Sequence, residues 1–141
     1  MNITTKQAND LTQYAIARAV EIGVPMNIAV VDSGANIKSF IRMDNALLGS
    51  ADIAMKKART SSLFNIGSGE IGELSQPGGP LFNIEHSNGG LITFAGGVPI
   101  KDETGNIIGA IGISGGSVDQ DVDVAEAAAS MLKRGTKQNN C

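Results

Sequence analysis

The sequence predicts a single α+β domain, an antiparallel sheet with helices packed on it. Three observations carry this. The periodicities run helix, two strands, helix, three strands, helix. Short turn sequences join strand to strand, as in hairpins. The first strand is apolar on both faces, as a central strand covered on both sides should be.

The first helix is expected over residues 5–22. Thr4 and Gln7 have the spacing of a capping box. Ala8, Leu11, Ala15, Ala19 and Ile22 recur at helical intervals, Gly23 is placed to stop the helix, and Pro25 prevents its continuation. Met26–Asp32 reads as a strand, with Met26, Ile28 and Val30 on one face and Asn27, Ala29 and Val31 on the other. Asp32–Asn36 has turn chemistry, and Ile37–Met43 returns as the antiparallel partner. Ser50 is expected to cap a helix over 50–65. Its small face, Ala51, Ala54, Ala58 and Ser61, suits close approach to a sheet, while Lys56, Lys57 and Arg59 are expected in solvent.

Residues 66–80 are rich in Gly and Pro and read as a loop with a short helical turn near Glu70–Leu74. Phe82–Asn88 is ambiguous, and Leu91–Ala95 is expected as a third strand. Val98–Ile100 and Ile107–Ile113 flank a polar turn containing Gly105 and form a hairpin. Ser117 and Gln120 again have capping-box spacing, and the last helix is expected over Val118–Arg134. The polar tail 135–141 is expected to be disordered.

Composition narrows the function. The chain has 141 residues, enough for one domain with a sizeable core, and no linker or repeat divides it. Net charge is −3 without a basic stripe, so nucleic-acid binding is not expected. No apolar run approaches the roughly 18 residues of a membrane span. The N-terminus is polar and helix-forming, unlike a signal peptide, so a cytoplasmic protein is expected. The only cysteine is Cys141, which excludes an intrachain disulfide and a Cys-based metal cage.

The chemical motifs are sparse. Gly112–Gly116 spells G-x-S-x-G, but no histidine follows Ser114 and the strand belongs to a hairpin, so a hydrolase elbow is not expected. Gly67–Gly72 spells G-x-G-x-x-G without a leading strand, so the dinucleotide-binding context is missing. His86 is the only histidine. It can be a single axial ligand to haem iron, and its polar neighbours also suit a solvated loop. Asp119, Asp121, Asp123 and Glu126 open the last helix, where negative charge favours the helix dipole. Arg42 and Asp44 can bind an anionic group or pair with each other.

The stretches VVDSGANIKSFIRMDNA, ADIAMKKARTS, GGLITFAGGVPI and GNIIGAIGISGGSVDQDVDVAEAA, in this order, resemble the bacterial GlcG/HbpS-like haem-binding family. The carboxy-terminal domain of PduO-type proteins belongs to it too. The likeness runs from about Asp10 to Leu132. It implies a profilin-like fold, a five-stranded antiparallel sheet with helices on both faces. It also implies haem as cofactor and homo-oligomers built from dimers into tetramers or octamers. Members are linked to haem or iron sensing, glycolate metabolism or corrinoid-dependent diol metabolism.

Some relatives carry a histidine ligand on the first helix, where this chain offers Tyr14. Haem binding here is therefore expected to rest on His86, on Tyr14, or on Thr93 or Met43. His86 is favoured over Tyr14 because a neutral imidazole binds iron without first losing a proton. Arg18, four residues from Tyr14, shares its helix face and can pair with a haem propionate. Arg42, Phe94, Gly96 and Gly97 complete the expected haem site. The surface iron motif of secreted relatives has counterparts at Glu70–Glu73 and Asp123–Glu126.

The function expected first is a non-catalytic haem- or tetrapyrrole-binding protein. The alternatives are an accessory or sensor domain that binds another small anionic metabolite through Arg42, Lys57 and the Gly96-Gly97 backbone, and a haem-degrading enzyme.

Overall fold

The computed structural model describes residues 2–139, with side-chain surroundings through residue 135. Helix α1 (Thr5–Ile22) begins as its sequence dictates. Thr4 Oγ1 accepts from Gln7 N at 3.0 Å, and Gln7 Oε1 accepts from Thr4 N at 2.9 Å. Gly23 ends it in the left-handed conformation, φ +72°. Strands β1 (Asn27–Asp32) and β2 (Ile37–Arg42) follow, then α2 (Ser50–Phe64) and a short helix α3 (Ser68–Leu74). A 3-10 turn, Ile84–His86, precedes β3 (Gly97–Lys101), β4 (Ile107–Ser114) and α4 (Val118–Asn139).

The sheet is antiparallel in the order β2-β1-β4-β3. Its two faces follow the alternation read along β1. Met26, Ile28 and Val30 join Ile111 and Ile113 beneath α1 and α4, in a core with Leu11, Ala15, Val124 and Ala128. Ala29, Val31 and Ala110 face α2, where Ala54 and Ala58 pack against them. Small residues on both sides bring α2 close to the sheet.

Four expectations change. The sheet has four strands, not the five implied by the resemblance. Leu91–Ala95 is not a strand, because its backbone groups bond elsewhere. Leu91 N donates to Glu85 O, Ile92 N to Thr60 Oγ1, and Phe94 O accepts from Ser68 Oγ. Ser50 is the first residue of α2 and not its cap; Gly49 holds that position and makes no side-chain bond. Asp52 supplies the negative charge in the first turn instead. Helix α4 continues past the expected end at Arg134 to Asn139. Asn140 and Cys141, the end of the expected disordered tail, lie outside the described residues.

The β1–β2 and β3–β4 turns repeat one device. Asp32 N donates to Asn36 O, and Asp32 Oδ1 accepts from Gly34 N and Asn36 N. Asp102 N donates to Asn106 O, and Asp102 Oδ1 accepts from Thr104 N, Thr104 Oγ1 and Asn106 N. For Asp32, burial opposes ionisation, but the Asn36 and Gly34 amides outweigh it and hold the carboxyl below its usual 3.8. For Asp102, the Thr104 hydroxyl leads in the same direction. A depressed carboxyl binds fewer protons folded than unfolded, so its stabilisation is present above pH 3.8 and lost as pH falls below it. Urea unfolding of Asp32→Asn/Asp102→Asn should therefore show a weaker acid dependence than wild type. Equal slopes on the acid side would contradict these roles.

Candidate functional site

Of the depressions that border helix α4, two hold most of the candidate residues. The first is a cleft of 590 Å³ between α3, the approach to β3, and α4. Gly67, Gly69, Gly96 and Gly97 form its walls, and Glu70, Glu73, Lys101 and Glu126 supply its charge. The second is a groove of 420 Å³ between α1 and α4, lined by Tyr14, Arg18, Asp123, Ser130, Met131 and Arg134 among others.

The cleft wall stands directly on a buried ion pair. Gly96 has φ +129°, and a Cβ there would lie 2.6 Å from Lys57 Nζ. Ser68 Oγ fastens the wall, accepting from Gly97 N and donating to Phe94 O, each at 2.9 Å. Beneath, Lys57 Nζ donates to Ile113 O at 2.8 Å and to Asp121 Oδ2 at 2.9 Å. The Phe94 ring lies 4.9 Å from the ammonium. Asp121 Oδ1 accepts from Gly116 N at 2.9 Å. Burial pushes Lys57 below its ordinary pKa, and its bond to Asp121 works against this. Burial raises the Asp121 carboxyl, opposed by the Gly116 amide and by Lys57.

Lys57 is thus fully buried, contrary to the expectation that it joins Lys56 and Arg59 in solvent. It falls three residues after Ala54 and four before Ser61, on the face that meets the sheet. That spacing was the available signal. Asp121, expected only as one of the dipole-facing acids, is the partner that makes this burial tolerable. Lys57 is fully enclosed and already paired with Asp121, which removes one of the three groups named for the anionic-metabolite alternative.

In the groove, Tyr14 and Arg18 do share a face of α1. Arg18 Nε and Nη2 donate to the two carboxylate oxygens of Asp123 at 3.0 and 2.9 Å, and Nη1 donates to Glu21 at 2.8 Å. The Arg18 guanidinium holds the Asp123 carboxyl below the ordinary range. Arg18 and Asp123, assigned from sequence to haem and to iron, are therefore bonded to each other.

The remaining candidates are dispersed. Glu70, Glu73, Glu126, Gly96 and Gly97 meet at the cleft, where Glu70 Oε2 also accepts from Gly67 N. Phe94 is 44% exposed above Lys57, and half-buried Thr93 directs its carbonyl toward Gly72. His86 is exposed at the end of its 3-10 turn and lines neither depression. Arg42 is exposed at the end of β2 and forms no pair with Asp44. Met43 Sδ accepts from Met26 N. Among the described residues no three His, Cys, Asp or Glu side chains are grouped to hold a metal ion. None of the described helices is long and apolar enough to cross a membrane.

Comparison with known proteins places this geometry in a family. Corrinoid adenosyltransferase PduO of Citrobacter freundii is 38% identical over 139 residues, covering 98% of this chain and 41% of PduO. The chain thus spans about two-fifths of that protein's length. The crystal structure of protein ORFY from Klebsiella pneumoniae superposes with a TM-score of 0.89 at 35% identity, over 92% of this chain and 90% of ORFY. The crystal structure of a PduOC–haem complex matches with a TM-score of 0.87 at 36% identity, over 92% of this chain and 94% of PduOC. The family model described as haem degrading protein HbpS-like matches residues 3–130, and the chain belongs to the HbpS-like family.

Proposed function

We propose that this chain is a non-catalytic, haem-binding protein that assembles as a homo-oligomer in the cytoplasm. The observation that carries the reading is its similarity to PduOC, whose crystal structure is a haem complex, across 92% of the chain. The adenosyltransferase activity named for PduO is not carried over, because the chain spans only 41% of that protein. A haem-degrading activity is not favoured. The one histidine, His86, is exposed and lines neither the cleft nor the groove.

Charge separates the two depressions as haem sites. Three carboxylates against Lys101 make the glycine-walled cleft repulsive to propionates. The groove balances Arg18 and Arg134 against Glu21 and Asp123. Arg134 makes no ion pair among the described residues and would pair with a propionate. Tyr14 would supply an axial oxygen, since a phenolate holds haem iron in some haem proteins. On these grounds Tyr14 is preferred over His86, the ligand favoured from sequence.

Haemin titration of Tyr14→Phe and His86→Ala tests this choice. Tyr14→Phe should weaken binding about tenfold or more and move the Soret band, with His86→Ala unchanged. The opposite pattern would assign His86 as the ligand.

A further inference from the structure

A further hollow lies on the α2 face of the sheet, away from the α1–α4 groove. It measures 370 Å³, within the size range of small-molecule sites, and opens between α2, the β1–β2 turn and residues 88–89. It shares no lining residue with the cleft or the groove. Asp52, Lys56 and Arg59 are spaced four and three residues apart, so they stand in one row on α2. Ala54 and Ala58, on the opposite side of the helix, meet the sheet. Val31, Ile37 and Met55 add an apolar wall.

The unusual member of the row is Arg59. Lys56 Nζ pairs with Asp52 at 3.0 Å. Arg59 is half-buried and donates through Nη1 to Asn88 O, yet it meets no carboxylate among the described residues. Its Nε and Nη2 make no hydrogen bond among those residues, which leaves one side of the guanidinium fork open. A covered cation ordinarily has a counter-charge, because desolvation without one is costly. Asn88, Gly89 and Gly90 all have positive φ, which folds their loop back against Lys56 and Arg59.

We infer that this hollow binds a small monocarboxylate with a short aliphatic body. The carboxylate takes the open side of the Arg59 fork through two parallel hydrogen bonds, with Lys56 beside it. The aliphatic body lies on Ile37 and Met55. Charge sets the class. Lys56 and Arg59 against Asp52 leave the lining at +1, which one carboxylate neutralises. A phosphate monoester carries about −1.5 to −2 at pH 7 and would bring excess negative charge against Asp52.

Proton–nitrogen NMR titration of the full chain with butyrate provides the test, with butyramide and inorganic phosphate as comparisons. Butyrate should shift the Gly89 and Gly90 amide and Arg59 Nε resonances along saturable curves. Butyramide should give no saturable shift, and phosphate should bind about threefold more weakly or worse. Arg59→Gln should weaken butyrate binding about tenfold or more. Because Arg59 also holds Asn88 O, a second variant gives a readout of opposite sign. Asp52→Asn releases Lys56 from its carboxylate and should tighten butyrate binding about threefold, a gain that a disturbed loop would not produce. No saturable shift with butyrate, an Arg59→Gln protein that binds like wild type, an Asp52→Asn protein that binds no tighter, or butyramide or phosphate binding as well as butyrate would each overturn the inference. Haemin titration reads the other face of the sheet, so failure of this site is distinguishable from failure of haem binding.

Discussion

Lys57→Ala should destabilise the protein by about 3–5 kcal/mol, the range for removing one partner of a buried ion pair. The side chain is fully enclosed, and its ammonium is held by Ile113 O, Asp121 and the Phe94 ring. Its loss leaves Asp121 as an uncompensated buried charge and Ile113 O without this donor. Three elements meet at the pair, the middle of α2, the end of β4 and the start of α4. Asp121→Asn should cost a comparable amount, because with the amide oxygen kept on Gly116 N its Nδ2 turns a donor toward the buried Lys57 ammonium, which is left without its counter-charge. Urea unfolding decides the matter. A loss below about 1 kcal/mol for Lys57→Ala would mean that the pair contributes little beyond filling space.

Gly112→Val should cost about 3 kcal/mol or more through overpacking. Gly112 lies in β4 opposite Ala29 and Gly97, and its open face receives α2. A Cβ there would fall on the Ala54 carbonyl oxygen and 2.5 Å from Ala58 N. These are backbone atoms of a helix and cannot rotate away, so α2 would have to lift from the sheet. Gly105→Ala is the control, because its Cβ would meet nothing within 4 Å. Only the strain of φ +86° remains there, of order 1 kcal/mol. Thermal unfolding of both variants gives the comparison. A Gly112→Val protein that melts like wild type would contradict the close approach of α2.

Local signals made most of the fold legible in the sequence. The Thr4–Gln7 box, the Gly23 stop and the two-faced apolar alternation of β1 each involve residues a few positions apart, and each appears in the structure. Leu91–Ala95 was not legible, because its strand-like composition is overridden by Thr60 and Ser68, side chains more than twenty positions away. Lys57 was hidden for the same reason. A lysine reads as solvent-facing until Asp121, 64 positions later, is known to sit beside it. For the candidate site, spacing placed Tyr14 and Arg18 on one face. It could not show that Arg18 is already held by Asp123, 105 positions away.

The proposed function depends on whether this chain itself takes up haem. The most direct measurement is absorbance during haemin titration of the wild-type protein, with native mass spectrometry of the same mixture. The account predicts a shifted Soret band that saturates at one haem per chain, and a retained haem mass on each subunit. A spectrum indistinguishable from free haemin, with no haem-bearing species at excess haemin, would contradict it.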